Sequence, residues 1–181
     1  LEALAARHLK KMLAYSTMSQ IGYMFFALGS GGVLASQFHL VSHAVFKALL
    51  FMAAGAVIHE TGTKDIAEMS GVGKKMPITG VLFLFGVMGL SGIPLFSGFF
   101  SKDMILATAL EHKAYLPLGI AVLGAITTFT YSWRSYLSVF GGSVSPAASR
   151  AHEAHPLMLV PMAVLAVGTF TSWLLIGVQS G

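Results

Sequence analysis

The chain has 181 residues, of which 55% are hydrophobic and only 10% charged, with 11 basic and 7 acidic side chains. A soluble domain carries roughly 25% charged residues, so this composition excludes an ordinary water-soluble globule and suits a protein whose solvent is lipid. There is no cysteine, which excludes disulfides, thiolate zinc sites and cysteine-held iron–sulfur clusters; the net charge of +4 is scattered between apolar runs and fits a positive-inside topology better than a nucleic-acid surface.

The chain opens on Leu1 rather than on methionine. Its first apolar stretch lacks the small-residue cleavage site of a signal peptide. Both features predict a fragment, or the second piece of a split protein. Leu1–Leu13 is predicted to be the end of one helix, with Arg7, His8, Lys10 and Lys11 near a membrane boundary. Ala14–Gly29 is a second apolar run, shorter than the about 20 residues of a full span. Gly29, Gly31 and Gly32 mark a turn after it. Ala35–Ile58 predicts a long membrane helix. His59–Met76 holds Glu60, Lys64, Asp65, Glu68, Lys74 and Lys75 and predicts a solvent-exposed loop. Pro77 suits the first turn of the helix that follows.

Ile78–Leu90 is apolar, and then the pattern breaks: Gly89, Gly92, Pro94 and Gly98 are followed by Ser101, Lys102 and Asp103. Met104–Leu110 resumes as helix. This predicts a discontinuous membrane helix, whose freed backbone groups are tolerated only inside protein or beside water. Tyr115–Phe140 predicts another span, Gly141–His155 a loop and Leu157–Ile176 the last span, for about five to six crossings in all. If Pro77–Leu110 crosses once, Arg7, Lys10, Lys11, Lys64, Lys74, Lys75 and Arg150 share one side and Lys113 lies on the other. Positive-inside logic makes the first side cytoplasmic.

Within Ala35–Ile58, His39, His43 and Lys47 are spaced i, i+4, i+8. On a helix they share one face and rise about 12 Å along it. A charged lysine at membrane depth costs about 2.5–3.5 kcal/mol on insertion scales, and desolvation favours the neutral amine of a lysine in general. Histidine titrates near neutral pH. Two histidines and a desolvated lysine in line therefore predict a proton wire. The bland alternatives are a snorkelling lysine and histidines that merely bond neighbouring helices. A metal site is disfavoured, because His-Leu-Val-Ser-His lacks the zincin glutamate and a third ligand. Lys102 and Asp103 follow the break. At a half-helix start Asp103 suits the positive dipole end and Lys102 does not. The alternative is an interfacial lysine. Lys10 adjoins Lys11 and reads by itself as a flank. Ser16, Gln20 and Tyr23 form a polar stripe that most often means helix packing, and Arg134 among aromatics reads as a boundary anchor.

Three segments are similar to the signatures of one family: Lys-Met-Leu-Ala-Tyr-Ser-Thr-Met-Ser-Gln-Ile-Gly-Tyr-Met (11–24), Phe-His-Leu-Val-Ser-His-Ala-Val-Phe-Lys-Ala-Leu-Leu-Phe (38–51) and Gly-Ile-Pro-Leu-Phe-Ser-Gly-Phe-Phe-Ser-Lys-Asp (92–103). They resemble the antiporter-like, proton-translocating membrane subunits of respiratory complex I, of Mrp-type cation/proton antiporters and of membrane-bound hydrogenases. His-Glu-Ala-His-Pro-Leu-Met-Leu-Val-Pro-Met (152–162) is similar to the L type of subunit. The resemblance implies an all-α integral membrane protein built on two inverted five-helix repeats, each with a broken helix and a half-channel. This chain would be the second repeat with flanking helices: 1–141 the repeat, 142–155 a loop, and 156–181 a terminal membrane helix. It implies that Lys47 is the central proton carrier, with His39 and His43 on a hydrated route beside it. Lys102, with Asp103, would be the exit lysine on the broken helix, and Lys10 would join the two half-channels. The pattern departs at His8-Leu9, where the family commonly has Asp-Ile. The first repeat, with its glutamate and lysine, must come from another chain or segment.

The expected function is proton translocation within a complex I-like donor:quinone oxidoreductase. No redox centre is expected in this chain, and NADH, FMN, iron–sulfur clusters and quinone are expected in other subunits. The expected partners are membrane subunits and the bilayer of a prokaryotic inner membrane or an organellar energy-converting membrane. An Mrp-type sodium/proton antiporter subunit is the nearest rival. A structural scaffold follows, and a receptor or channel module ranks last.

Overall fold

A computed structural model describes residues 2–172 and 174. In chain order its helices are α1 (Glu2–Ala5), α2 (Leu9–Gly29), α3 (Val33–Thr61), α4 (Pro77–Ser91), α5 (Ser97–Glu111), α6 (Tyr115–Phe140), α7 (Pro146–Ser149) and α8 (Pro156–Thr171). Two 3-10 turns, Ile66–Met69 and Val72–Lys74, lie between α3 and α4. No strand forms among the described residues, and His8 and Asp65 pair as a single antiparallel bridge.

The expected helix end over Leu1–Leu13 is two pieces instead. Arg7 O accepts from Ile66 N at 2.9 Å, and Leu9 N donates to Lys64 O at 3.2 Å. Backbone groups that a continuous helix would use are thus committed to the 64–66 segment. The chain breaks there, and α2 runs unbroken for 21 residues. Arg134 reinforces the break by donating to the carbonyls of Leu4 and Ala6, so it anchors the N-terminal segment.

The stretch His59–Met76 is not simply a solvated loop. α3 continues to Thr61. Beyond it Ile66, Met69, Val72 and Met76 turn inward, and the last three are fully buried. Their apolar side chains close the lower core, while Lys64, Lys74 and Lys75 stay exposed. Residues 141–155 lie against this segment: Gly71 N donates to Gly141 O at 2.8 Å and Ser145 N to Ser70 O at 3.0 Å. Only glycine fits at 71. Its φ is +75°, and a Cβ would sit 2.6 Å from Ser143 O.

These contacts gather the starts of α2, α4 and α8 and the ends of α3 and α6 at one end of the bundle, called here the platform end. The α2–α3 turn, the end of α5 and the start of α6 form the opposite, hairpin end. Nε2 of His112 lies 3.4 Å from the position of a Cβ on Gly31. The pair α4–α5 therefore runs from one end to the other and crosses once. Arg7, Lys10, Lys11, Lys64, Lys74, Lys75 and Arg150 lie at the platform end and Lys113 at the hairpin end, the asymmetry that positive-inside logic requires.

By length and composition alone, fewer helices qualify as single spans than the five to six crossings expected. Among the described residues, α3 and α6 are the two long and apolar enough, and α4 qualifies only when joined to Ile66–Lys74, from which it is bent by 115°. The helix α2 starts with two lysines and carries a polar stripe. At 15 residues each, α4 and α5 are about 22 Å long, short of a hydrocarbon core of about 30 Å. The helix α8 is described as far as Thr171, and the expected continuation to Ile176 lies outside the described residues. The central helix α3 packs against α2, α4, α5 and α8. Outward faces of α6 and α8 expose Leu116, Leu123, Leu157 and Val164, as an integral membrane protein presents to lipid.

Candidate functional site

Lys47 is the middle residue of the 29 in α3, and it is 5% exposed. The periodicity of α3 places it toward α2 rather than toward lipid. Nζ donates to Leu13 O at 2.9 Å and to Ser16 Oγ, and Ser16 Oγ donates to Leu13 O at 3.0 Å. The ring of Phe51 lies 6.0 Å from Nζ. Among the described residues the only ion pair is His59–Glu60, far along α3. The ammonium of Lys47 is therefore held by dipoles and not by a carboxylate. Neutral partners leave the proton easier to release than an ion pair would.

One turn back toward the hairpin end sits His43, its ring edge-on to Phe46 at 5.4 Å and 6.3 Å from the ring of His39. His39 is fully buried. Its Nε2 meets Gln20 Oε1 at 3.1 Å and its Nδ1 meets Ser101 Oγ at 2.9 Å. The amide oxygen only accepts, so Nε2 carries a proton. The hydroxyl of Ser101 also faces Gly98 O at 3.4 Å. It can rotate between that carbonyl and Nδ1, which is what a relay hydroxyl must do. Ser16 and Gln20, read from the sequence as packing residues, are thus the direct partners of Lys47 and His39.

Lys102 lies in the second turn of α5, 5% exposed. The sequence placed it at a disfavoured, positive helix start. The structure places its head group elsewhere: Nζ reaches back across the break and donates to Leu90 O at 2.6 Å. Leu90 is in the last turn of α4, where carbonyls lack helical partners and the dipole end is negative. A cation is favoured there. The close approach depends on Gly98, because a Cβ at that position would fall on Gly89 O. Beside it Ser91 and Ser132 share a 2.8 Å hydrogen bond.

The structure brings together Lys47, His39, His43 and Lys102, but not Lys10 or Asp103. Lys10 is exposed in the first turn of α2, at the platform end, and Asp103 is exposed, turned about 100° around α5 from the buried Lys102. Sequence reasoning missed a buried stripe on α6: Thr128, Tyr131, Ser132 and Ser135, spaced i, i+3, i+4, i+7. That period was the available signal. Buried side-chain atoms without a protein partner include Gln20 Nε2, Ser42 Oγ, His43 Nε2 and Ser97 Oγ. Buried polar atoms of this kind are the ones ordered water satisfies. Among the described residues no three His, Cys, Asp or Glu side chains form a group that could hold a metal ion.

The two halves of α3 differ. Toward the hairpin end lie Ser36, His39, Ser42 and His43, all buried. Toward the platform end Leu49, Leu50, Ala53, Ala54 and Val57 pack with Met69, Val72, Met76 and Phe83 in one apolar cluster. Lys47 sits where the polar lining ends and the apolar plug begins. Along α3, the buried polar side chains lie on the hairpin side of Lys47 and the apolar ones on the platform side.

Residues 1–128 match the family described as "NADH:quinone oxidoreductase/Mrp antiporter, TM". NADH-quinone oxidoreductase subunit L of Rickettsia bellii (strain RML369-C) is 42% identical over 173 residues, which is 94% of this chain and 27% of that protein. The chain thus spans about a quarter of the length of the curated relatives it matches. A solved structure of the membrane-bound sulfane sulfur reductase, an archaeal respiratory membrane complex, aligns with a TM-score of 0.89 at 29% identity, covering 94% of this chain and 29% of that one. The structure of the Mrp complex from Dietzia sp. DQ12-45-1b aligns with a TM-score of 0.86 at 25% identity, covering 98% of this chain and 41% of that one.

Proposed function

This chain belongs to the NADH:quinone oxidoreductase/Mrp antiporter transmembrane family, and from that premise we propose that it is the second-repeat part of a proton-translocating membrane subunit in a complex I-like assembly. The observation that carries the reading is the set of buried polar side chains between Lys47 and Lys102: Lys47 bonds Ser16, His39 bonds Gln20 and Ser101, and Lys102 follows Ser101 on α5. Lys47 holds the proton at mid-membrane. His39, His43 and bound water carry it toward the hairpin end, and Lys102 receives charge at the helix break. The apolar plug on the platform side prevents a straight leak. A first repeat in another segment or chain supplies protons to Lys47 from the other face, and Lys10, at the start of α2, faces that junction. Redox cofactors and quinone belong to partner subunits.

The energy scale fits. Moving one charge against 100 mV costs about 2.3 kcal/mol. A hydrogen bond to a charged group contributes about 1.5–3 kcal/mol. Making or breaking one such bond at Lys47 or Lys102 is therefore enough to gate a step. The test is Lys47→Ala in the intact membrane complex, with electron transfer and proton translocation measured on the same vesicles. Loss of translocation at normal complex content is the expected result. Full translocation would leave the polar residues as helix packing, the scaffold reading.

A second reading, a sodium/proton antiporter subunit, is supported by the likeness to the Mrp structure. It predicts sodium-dependent proton movement without a quinone substrate.

A further inference from the structure

The segment His152–Met162 has no part in the proton line, yet it carries a carboxylate that bonds to the broken helix. α4 begins with no side-chain cap from its own N-cap residue, Met76. Pro77 has no N–H to satisfy, and Gly80 N bonds Met76 O at 2.9 Å. The orphan donors of the first turn are therefore Ile78 N and Thr79 N. Glu153, 75 residues away in sequence, takes both, at 2.7 and 3.2 Å, and also accepts from Thr79 Oγ1 at 2.6 Å. Its own loop is held by a further bond from Ala154 N at 3.1 Å.

At the far end of α4 the carbonyl of Met88 accepts from Gly92 N and Ile93 N at 3.1 Å each. The carbonyl of Leu90 is taken by Lys102. The half-helix is thus gripped at both ends by charges that match its dipole: a carboxylate on its N–H end and an ammonium on its C=O end. A helix of 15 residues is stiff, so the grip at one end sets the depth of the carbonyl at the other.

We propose that Glu153 is a positioning residue for Lys102. It fixes the depth of α4 in the bundle and through it the Leu90 carbonyl that holds the Lys102 ammonium. The 142–155 loop at the platform end is thereby mechanically tied to the helix break. The inference rests on the proton-carrying role of Lys102, but its geometry can be tested apart from that role.

The chain has no cysteine, so a single Ile93→Cys beside the break serves as a reporter. Its alkylation by a water-soluble maleimide is followed by mass shift of this chain in the intact membrane complex, with and without Glu153→Ala. Glu153→Ala is expected to raise the alkylation rate about threefold, the size of effect a coupled position exerts. Glu153→Gln keeps one acceptor oxygen and gives a smaller rise. Where Glu153→Ala chain does not accumulate, the Gln variant alone decides. An unchanged rate in the variants that assemble overturns the proposal. In complexes without the reporter, Glu153→Ala is also expected to lower protons moved per electron about threefold at matched complex content; a lower content with normal coupling would assign Glu153 to assembly alone and overturn the positioning role. If Lys102→Ala leaves coupling intact while the reporter still responds, the proton-carrying reading fails and the mechanical link stands.

Discussion

Ser101→Ala isolates one step of the proposed path. Among the described residues its hydroxyl is the only partner of His39 Nδ1, at 2.9 Å, and both residues are fully buried. Alanine removes that oxygen and little else, since the neighbouring packing of α5 on α3 and α4 is carried by other side chains. No other protein group among the described residues bonds Nδ1, so losing this partner costs the imidazole about 1–3 kcal/mol. If the relay runs through His39, that penalty appears in its barrier as a slowing of about 5- to 150-fold. The assay is the initial rate of proton translocation in vesicles, normalised to electron transfer and complex content. Ser101→Thr keeps a hydroxyl and should recover most of the rate. Ser101→Ala at wild-type rate would refute a route through His39 Nδ1 and leave His43 as the remaining branch.

Two further substitutions probe the packing that holds the line together. Gly98→Ala drives a Cβ onto Gly89 O and within 2.9 Å of Gly89 C; with backbone on both sides, overpacking should cost about 3 kcal/mol, lower the thermal midpoint of the complex and uncouple pumping by parting Lys102 from Leu90. Tyr23→Phe removes the hydroxyl that donates to Ala121 O and joins α2 to α6; the expected loss is about 1 kcal/mol in thermal stability, with translocation unchanged because Tyr23 is no part of the Lys47 line.

Much of the site is legible in the chain itself, for identifiable reasons. His39, His43 and Lys47 stand out because α3 is otherwise apolar, and a helical period puts them on one face. The break at Gly89–Gly98 is legible because glycine and proline act locally. What fails is whatever depends on reach between elements. Lys102 was assigned the dipole of the helix it belongs to, but its four-carbon stem carries the ammonium to the end of the preceding one. Ser16 and Gln20 look like packing until α3 is laid beside them. Thr128 and Ser132 on α6 hide because each hydroxyl also bonds a carbonyl of its own helix, Gly124 O and Thr128 O, and so looks locally satisfied. The 59–76 segment misleads because its charges dominate composition while four apolar side chains decide its fold.

The asymmetry of α3 about Lys47 is the most direct point of test. Single cysteines at Ser36 and Ser42 are near-isosteric, and those at Ala53 and Ala54 add one sulfur atom each, in a chain with no cysteine of its own. Each is exposed in sealed vesicles of either orientation to a membrane-impermeant thiol reagent. Positions 36 and 42 are predicted to label, from the hairpin side only, and 53 and 54 to stay unlabelled from both sides. Labelling at 53 or 54, with 42 silent, would place water on the wrong side of Lys47 and contradict the proton path described.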